Sequence, residues 1–196
     1  MKLIGVLALQ GDFAAHQRAL DRLGVASRQV RNLRDLEGIS GLILPGGEST
    51  TLLKLLDSSG LKEAIVDFHR QGHPLFGTCA GLILLSRQVL NPEQPSLGLI
   101  DVTTMRNAYG RQKESFETTG EANFGEDPSL PMVFIRAPRI VRLGESVTPL
   151  ASYQGECVMA GQDKVLVATF HPEMTDDTRV HRYFLDMTSN GSLSSS

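Results

Sequence analysis

The chain has 196 residues, which favours one domain because domains average roughly 150 residues. Hydrophobic residues make up 41% of the chain and charged residues 21%, which is typical of a folded protein rather than a disordered one. The formal net charge is −3 with no run of basic residues, so neither nucleic-acid binding nor adhesion to a membrane surface is predicted. No apolar run approaches the roughly 20 residues that cross a bilayer.

The first ninety residues alternate between strand-like and helix-like segments. Short segments of strand length predict four strands, at 2–9, 25–30, 41–44 and 74–76, of which the first is a continuous apolar run. Apolar residues at helical spacing predict four helices, around 15–23, 52–56, 61–68 and 82–89. Ser49 and Thr50 are the expected N-cap residues of the second helix. This alternation is typical of a parallel sheet with helices on both faces.

The second half of the chain changes character. Short turns separate four further predicted strands, at 97–104, 133–136, 156–160 and 164–170. Such spacing favours antiparallel strands added at the edge of the sheet. The segment between Ser115 and Pro131, rich in Gly, Glu and Thr, is expected to be a mobile loop. A final helix follows His171, with Val180, Phe184 and Met187 on its core face.

The predicted fold class is therefore α/β, with three layers: an open, mostly parallel sheet, helices on both of its faces and antiparallel edge strands. Residues 1–190 are expected to form a single domain, and 191–196 a flexible C-terminal tail.

Cysteine usage indicates a reducing, cytoplasmic setting. Cys79 and Cys157 are too far apart in sequence for a close zinc-ligand pair or a dense disulfide framework. The apolar start of the chain ends at Gln10 without a small-residue cleavage pattern, so it predicts a buried strand rather than a signal peptide.

A glycine-flanked cysteine stands between the fourth predicted strand and the next helix. The segment 77–81, GTCAG, has the glycine spacing of a nucleophile elbow, with Cys79 in the place where hydrolases carry Ser. Only small neighbours let strand and helix approach closely at such a turn. The helix start favours a thiolate, and its free backbone N–H groups can hold an oxyanion. A buried, unreactive cysteine is the alternative, and the elbow pattern favours catalysis over it.

A histidine and a glutamate follow the last predicted strand. His171 would enter the same crevice as the elbow, because ligands bind at the carboxyl ends of strands in open α/β sheets. Glu173 could accept a hydrogen bond from the imidazole and fix its tautomer, or only favour the start of the last helix. The remaining histidines are assigned to solvated or core positions: His16, His69, His73 and His181. Cys157 is assigned to packing.

The segment 44–49, LPGGES, is a second glycine-rich turn at the end of a strand. It lacks the Lys of a phosphate loop, and Glu48 would repel a phosphate. A backbone N–H that serves as a second oxyanion donor is a more attractive interpretation. A tight turn before a capped helix explains the same residues equally well.

Together these motifs resemble a class I, triad-type glutamine amidotransferase. Five segments resemble more closely the glutaminase subunits of pyridoxal phosphate synthases: LALQGDF at 7–13, LPGGESTT at 44–51, RNAYGRQ at 106–112, FIRAP at 134–138 and HPE at 171–173. The resemblance spans nearly the whole chain and implies a flavodoxin-like fold. It implies hydrolysis of L-glutamine to glutamate and ammonia, which passes to a separate synthase subunit that makes pyridoxal phosphate (vitamin B6). No metal or organic cofactor is required for this reaction.

The resemblance also implies roles for individual residues. Cys79 would be the nucleophile, His171 the general acid and base, and Glu173 its orienting carboxylate. The oxyanion donors would be the N–H groups of Gly47 and Ala80. Glutamine contacts are implied at Gly47, Glu48, Ser49, Arg106, Ile135 and Arg136, of which Arg106 suits the substrate α-carboxylate. Gln10 is expected to reach the PGGES turn, residues 45–49, and to set the orientation of its peptide when the synthase docks.

Two rival functions stay open at the level of sequence. One is a cysteine hydrolase or peptidase of the same sheet class, which would use Cys79 without ammonia transfer. The other is a noncatalytic, flavodoxin-like binding module whose glycine turns hold a phosphate or a flavin. Only the first rival accounts for the presence of Cys79, His171 and Glu173 together.

Overall fold

In the computed structural model, which describes residues 1–108 and 115–189, the chain forms twelve strands and five α-helices. The helices are α1 (Phe13–Arg22), α2 (Ser49–Ser59), α3 (Leu61–Arg70), α4 (Ala80–Leu85) and α5 (Arg179–Ser189). The strands are β1 (Leu3–Leu7), β2 (Ala26–Val30), β3 (Gly41–Leu44), β4 (Leu75–Thr78), β5 (Ser86–Leu90), β6 (Ile100–Met105), β7 (Ser115–Ala122), β8 (Ser129–Ile135), β9 (Arg139–Leu143), β10 (Thr148–Tyr153), β11 (Glu156–Gln162) and β12 (Val165–Ala168).

Nine of these strands form one mixed sheet in the order β2-β1-β3-β4-β12-β11-β10-β7-β8. The first five strands in that order pair in parallel, and the remaining pairs are antiparallel. A second sheet has the order β5-β6-β9. The α/β fold class is confirmed, with a parallel core and antiparallel strands.

The helices cover both faces of the parallel core. Side chains of β3 alternate between the two faces: Leu42 and Leu44 pack with α2, α3 and α4, whereas Ile43 packs with α1 and α5. Every residue of β3, β4 and β12 is buried, as expected for strands covered on both sides. This arrangement is the predicted three-layer architecture, and it brings α1 and α5 together on one face.

The segment predicted as a mobile loop is instead the hairpin of β7 and β8, so that prediction was wrong. The two strands pair over their full length, from Ser115 opposite Ile135 to Glu121 opposite Ser129. Phe116 stacks on Phe134 with ring centroids 4.9 Å apart. Alternation in β7 is hard to see in the sequence, because the positions between the charged residues include Thr and Gly.

The helix predicted over 82–89 ends early, at Leu85, and the chain continues as β5. The carbonyl oxygens of Leu84 and Leu85 accept backbone hydrogen bonds from Leu97 and Leu99. Ser86 donates to the Leu82 carbonyl and bonds the Thr104 hydroxyl, both at 2.7 Å, which ties β5 to β6. Of the small second sheet, only β6 was predicted, as the strand at 97–104; β5, β9 and the main-sheet strand β10 were not predicted from the sequence.

The predicted tail, 191–196, lies outside the described residues, and the single domain over 1–190 stays a prediction. No helix in the described parts of the chain is long and apolar enough to span a membrane.

Candidate active site

Cys79 occupies a strained turn between β4 and α4. Its φ of 51° and ψ of −104° lie where residues other than glycine rarely occur. The Cys79 N–H donates to the Ala168 carbonyl of β12 at 2.9 Å, which holds the turn against the neighbouring strand. Cys79 is only 8% exposed, and its thiol donates a long hydrogen bond of 3.9 Å to the Ile135 carbonyl. The turn therefore aims the sulfur into a narrow crevice beside β8.

The two glycines of the elbow allow this close packing. A Cβ at Gly81 would lie 2.0 Å from the Leu44 carbonyl oxygen of β3. A Cβ at Gly77 would lie 2.6 Å from the Gly81 carbonyl group. Both contacts involve backbone atoms that cannot move aside cheaply, so the elbow requires glycine at both positions for steric reasons.

His171 and Glu173 lie at the carboxyl end of β12, beside the elbow. The His171 Nδ1 and Glu173 Oε1 atoms are 2.6 Å apart, and both residues are buried. The His171 N–H donates to the Val133 carbonyl of β8 at 2.8 Å, which anchors the histidine to the hairpin. A Cβ at Gly46 would touch both His171 Cε1, at 2.6 Å, and Cys79 Cβ, at 3.6 Å. Cys79 and His171 thus meet around a single glycine.

Charges in this group reinforce one another. Burial alone would lower the pKa of His171, but its interactions with Cys79 and Glu173 outweigh burial and raise that pKa to about 10. Burial would raise the pKa of Glu173, but His16 and the bond from His171 lower it to about 2. Glu173 is therefore an ionised acceptor, and His171 Nδ1 must carry the proton between them. Nε2 has no other hydrogen-bond partner in the described chain, so it remains available to Cys79.

The PGGES turn lies opposite the elbow and is held by the loop after β1. The Glu48 N–H donates to Gln10 Oε1 at 2.9 Å, and the Asp12 N–H donates to the Gly46 carbonyl at 3.1 Å. A Cβ at Gly47 would lie 2.4 Å from the same Gln10 oxygen. Gln10 therefore reaches the turn, as the sequence predicted.

Glu48 caps α2, in place of the predicted Ser49 and Thr50. Its carboxylate accepts from the backbone N–H groups of Thr50 and Thr51 and from the Thr51 hydroxyl. These bonds, above all the one from the Thr51 side chain, lower the pKa of Glu48 to about 2. The sequence prediction failed because Ser, Thr, Asp and Asn are the usual caps. Ser49 is instead buried, and its hydroxyl donates to Gln94 at 3.2 Å.

Arg106 lies beside this cap. Its Nη2 is 3.7 Å from Glu48 Oε1 and 3.4 Å from the Thr50 hydroxyl, and its side chain is 17% exposed. A cavity of about 390 Å³ joins the turn, the elbow and the end of β8, and is lined by Gln10, Gly47, Glu48, Ser49, Cys79, Ile83, Arg106, Asn107, Arg136 and Pro138. A larger cavity, of about 740 Å³, lies at the amino ends of β3 and β4, away from Cys79 and His171.

The family model that matches residues 6–190 is described as the SNO glutamine amidotransferase family. The chain belongs to this family. The pyridoxal 5'-phosphate synthase subunit PdxT of Thermosipho africanus is 48% identical over 184 residues, which cover 94% of this chain and 97% of that protein. The subunit of the same name from Thermus thermophilus is 52% identical over 187 residues, with 94% and 97% covered. A crystal structure described as a glutamine amidotransferase aligns with a TM-score of 0.90 at 48% identity, covering 95% of this chain and 99% of that one.

These findings confirm the family that the motifs resembled. In this glutamine amidotransferase, the fold gathers most of the predicted site residues around one cavity. Ile135 contributes its carbonyl oxygen, and Arg136, with a φ of 45°, lines the same cavity. Ala80 is the first residue of α4, where a backbone N–H has no partner within the helix. Part of the RNAYGRQ motif, Tyr109 to Gln112, lies outside the described residues.

The second cysteine has a different environment in this amidotransferase. Cys157 is half-buried in β11, packs against the core, and lies 3.3 Å from the Met159 carbonyl. Burial raises the pKa of the Cys157 thiol, which disfavours its thiolate. Both cysteines are free thiols. Within the described residues, no group of three His, Cys, Asp or Glu side chains is arranged to hold a metal ion.

Sequence reasoning missed three buried polar residues behind the glutamate of this amidotransferase. His16 of α1, Thr78 of β4 and His181 of α5 are all inaccessible to solvent. The sequence left the two histidines as solvated or core residues, and it did not predict that His16 lies beside Glu173 or that His181 bonds His16. The available signal was that His16 shares a helix face with Ala15, Ala19 and Leu20, which are also buried.

Proposed function

We propose that this chain is the glutaminase subunit of a pyridoxal 5'-phosphate synthase. It hydrolyses L-glutamine to L-glutamate and supplies the ammonia to the synthase subunit. The observation that carries the proposal is the buried Cys79, His171 and Glu173 group in a chain about half identical to PdxT subunits over nearly its full length. Two free thiols support a reducing, cytoplasmic setting.

The reaction begins at the Cys79 sulfur. As a thiolate stabilised by charged His171, it attacks the side-chain amide carbon of glutamine and forms a C–S bond. Negative charge develops on the amide oxygen, where the N–H groups of Gly47 and Ala80 act as donors. Collapse of this intermediate breaks the C–N bond, and His171 gives its proton to the departing ammonia. A thioester with Cys79 remains.

The same groups hydrolyse the thioester, with His171 now acting as a base. Neutral His171 takes a proton from water, whose oxygen attacks the thioester carbon. A second oxyanion collapses, the C–S bond breaks, and glutamate leaves while the thiolate and charged His171 are restored. Glu173 keeps the imidazole in the required tautomer and stabilises its charged form in both halves.

The cavity offers opposite charges to the amino-acid end of the substrate. Arg106 suits the α-carboxylate of glutamine, because a guanidinium can hold a carboxylate through paired hydrogen bonds. Glu48, 3.7 Å from Arg106, suits the α-ammonium group. Gly47 and Ser49 of the same turn, with Ile135 and Arg136 at the end of β8, complete the proposed contacts. A free amino acid is thus a better match than a peptide.

Assays of glutamine hydrolysis, with and without the synthase subunit, test this function. Replacement of Cys79 by Ala removes the nucleophile, and we expect turnover to fall to background in a folded protein. We expect His171→Asn to lose turnover while Cys79 can still be alkylated. Peptides and esters serve as control substrates. Wild-type turnover by folded Cys79→Ala, or preference for peptides over glutamine, would contradict the proposal.

A further inference from the structure

Glu173 has a second buried neighbour besides His171. His16 Nε2 lies 3.5 Å from Glu173 Oε2, the oxygen that His171 does not use, and both side chains are fully buried. Within the described residues, Oε2 has no hydrogen-bond partner. A buried carboxylate oxygen without a polar neighbour is costly, so the placement of His16 beside it requires a reason.

His16 is itself held from behind. Its Nδ1 lies 2.9 Å from His181 Nε2, and its Nε2 lies 3.2 Å from the Thr78 hydroxyl. These residues come from three different elements, α1, α5 and β4, and all are inaccessible to solvent. The cluster therefore connects the catalytic carboxylate to the interface between two helices.

The proton positions in this cluster follow from charge. Burial lowers the pKa of His16, and it lowers that of His181 to about 3, so both rings are neutral near pH 7. The pKa of His16 also responds to the charges of Glu173, His171 and Asp12. The pKa of His181 responds to those of His16, Glu173 and Arg22.

A neutral imidazole carries one ring proton. Because Glu173 is ionised, the favoured tautomer of His16 carries its proton on Nε2, which lies 3.2 Å from the Thr78 hydroxyl and 3.5 Å from Glu173 Oε2. Its Nδ1 then accepts the proton donated by His181 Nε2. The reverse tautomer would aim a lone pair at a negative charge.

We propose that His16 is a positioning residue for Glu173, and that His181 fixes its tautomer. The inference rests on the proposed glutaminase function, since it assigns a partner to the carboxylate of the same site. The Nε2–H of His16, shared with the Thr78 hydroxyl, faces the second oxygen of Glu173 while His171 bonds the first. The carboxylate then stays ionised and correctly oriented, which keeps His171 charged and Cys79 in its reactive thiolate form.

Replacement of His16 by an apolar residue tests this positioning role. His16→Leu removes the imidazole beside Glu173 Oε2, which favours protonation of the buried carboxylate and weakens its hold on His171. We expect the pH midpoint of Cys79 alkylation by iodoacetamide to rise by about one unit, which is about a tenfold loss of rate at pH values well below the midpoint. A Cys157→Ala background ensures that only Cys79 reacts.

Two amide variants separate hydrogen bonding from packing. His16→Gln carries an amide N–H at a reach similar to that of Nε2, so it should restore the midpoint to that of the parent. Asn is shorter and ends nearer the position of Nδ1, so His16→Asn should not restore it. If His16→Leu does not fold, the difference between the Gln and Asn variants decides the question.

Leu20→Ala is the matched control. Leu20 is fully buried one turn further along α1 and packs on the same face as His16, without a polar group. We expect it to lower stability without moving the alkylation midpoint. An unchanged midpoint in His16→Leu, equal midpoints in the Gln and Asn variants, or an equal shift in Leu20→Ala would overturn the inference. Failure of the wild type to hydrolyse glutamine would instead overturn the proposed function, because alkylation requires no substrate.

Discussion

Two glycine-rich turns face each other across the cavity, and they differ in exposure and in what holds them. The elbow at 77–81 is buried, and a Cβ at either of its glycines would overlap backbone atoms of Leu44 or of the elbow itself. The PGGES turn leaves Gly47 and Glu48 exposed, and the loop after β1 holds it by hydrogen bonds through Gln10 and Asp12 and by close backbone packing of Gly11 on Gly46. The nucleophile thus stands on packed backbone, whereas the opposite wall depends on contacts of a neighbouring loop.

The two turns differ in how easily they change. The elbow is buried and closely packed against the backbone of β3, so it is expected to be rigid. The exposed peptide between Gly47 and Glu48 is held by one hydrogen bond to Gln10, which contributes only about 1 kcal/mol net, so a docking partner can reorient this peptide at small cost. A rigid elbow and an adjustable peptide opposite it are what the docking role predicted for Gln10 requires.

The largest expected effect comes from breaking the elbow. In Gly81→Ala the new methyl group would overlap the Leu44 carbonyl oxygen, so we expect a loss of about 3 kcal/mol or more in the free energy of unfolding. Gly24→Ala is the control: it has a φ of 68° but open space around it, and should cost about 1 kcal/mol. Urea unfolding measures both. Equal costs would mean that packing does not hold the elbow.

A smaller effect is expected at the PGGES turn. Gln10→Ala removes the acceptor of the Glu48 N–H, and the loss of one hydrogen bond predicts about a two- to tenfold fall in synthase-stimulated glutaminase rate. Alkylation of Cys79 should stay unchanged, because the elbow does not depend on Gln10. Gln17→Ala, which removes an amide that bonds Ser27 and Gln29 instead, is the control. Unchanged stimulated rates in Gln10→Ala would remove the role proposed for this residue.

The smallest effect is expected at the cap of α2. Glu48→Gln replaces an ionised cap, so we expect a loss of about 1 kcal/mol at pH 7 that salt reduces. Because folding lowers the pKa of Glu48 from 4.5 to about 2, this stabilisation is complete above pH 4.5 and disappears as the pH falls through about 2.

Thermal unfolding at several pH values measures the difference between wild type and Glu48→Gln. Glu63→Gln, in the first turn of α3, is the control because that helix has no side-chain cap. A stability difference that did not shrink toward pH 2 would show that Glu48 does not act as an ionised cap.

The parallel half of the sheet was predictable because its signals are local. Buried parallel strands are short continuous apolar runs, and β3 was predicted at its observed bounds. The antiparallel half was harder, since β7 has Thr and Gly at positions where an apolar residue would have marked the alternation. Early termination of α4 could not be foreseen, because it depends on hydrogen bonds from Leu97 and Leu99, which are distant in sequence.

The same division between local signals and long-range contacts holds within the site. Glycine spacing around Cys79, and the two-residue separation of His171 and Glu173, are local patterns with a direct chemical meaning. Several neighbouring side chains could cap α2, and the usual preference for Ser and Thr predicted Ser49 and Thr50 where the structure has Glu48. Contacts of Arg106 with Glu48 and Thr50 join residues more than fifty positions apart.

The amino-acid sequence by itself determined the α/β class, the position of the elbow and the three residues proposed for catalysis, because these follow from short-range periodicity and steric rules. Only the tertiary structure decided that His16 and His181, 165 positions apart, meet behind Glu173. The physical reason is that α1 and α5 pack on the same face of the sheet. Hydrogen bonds between buried polar groups of the two helices therefore depend on that packing and not on any local segment.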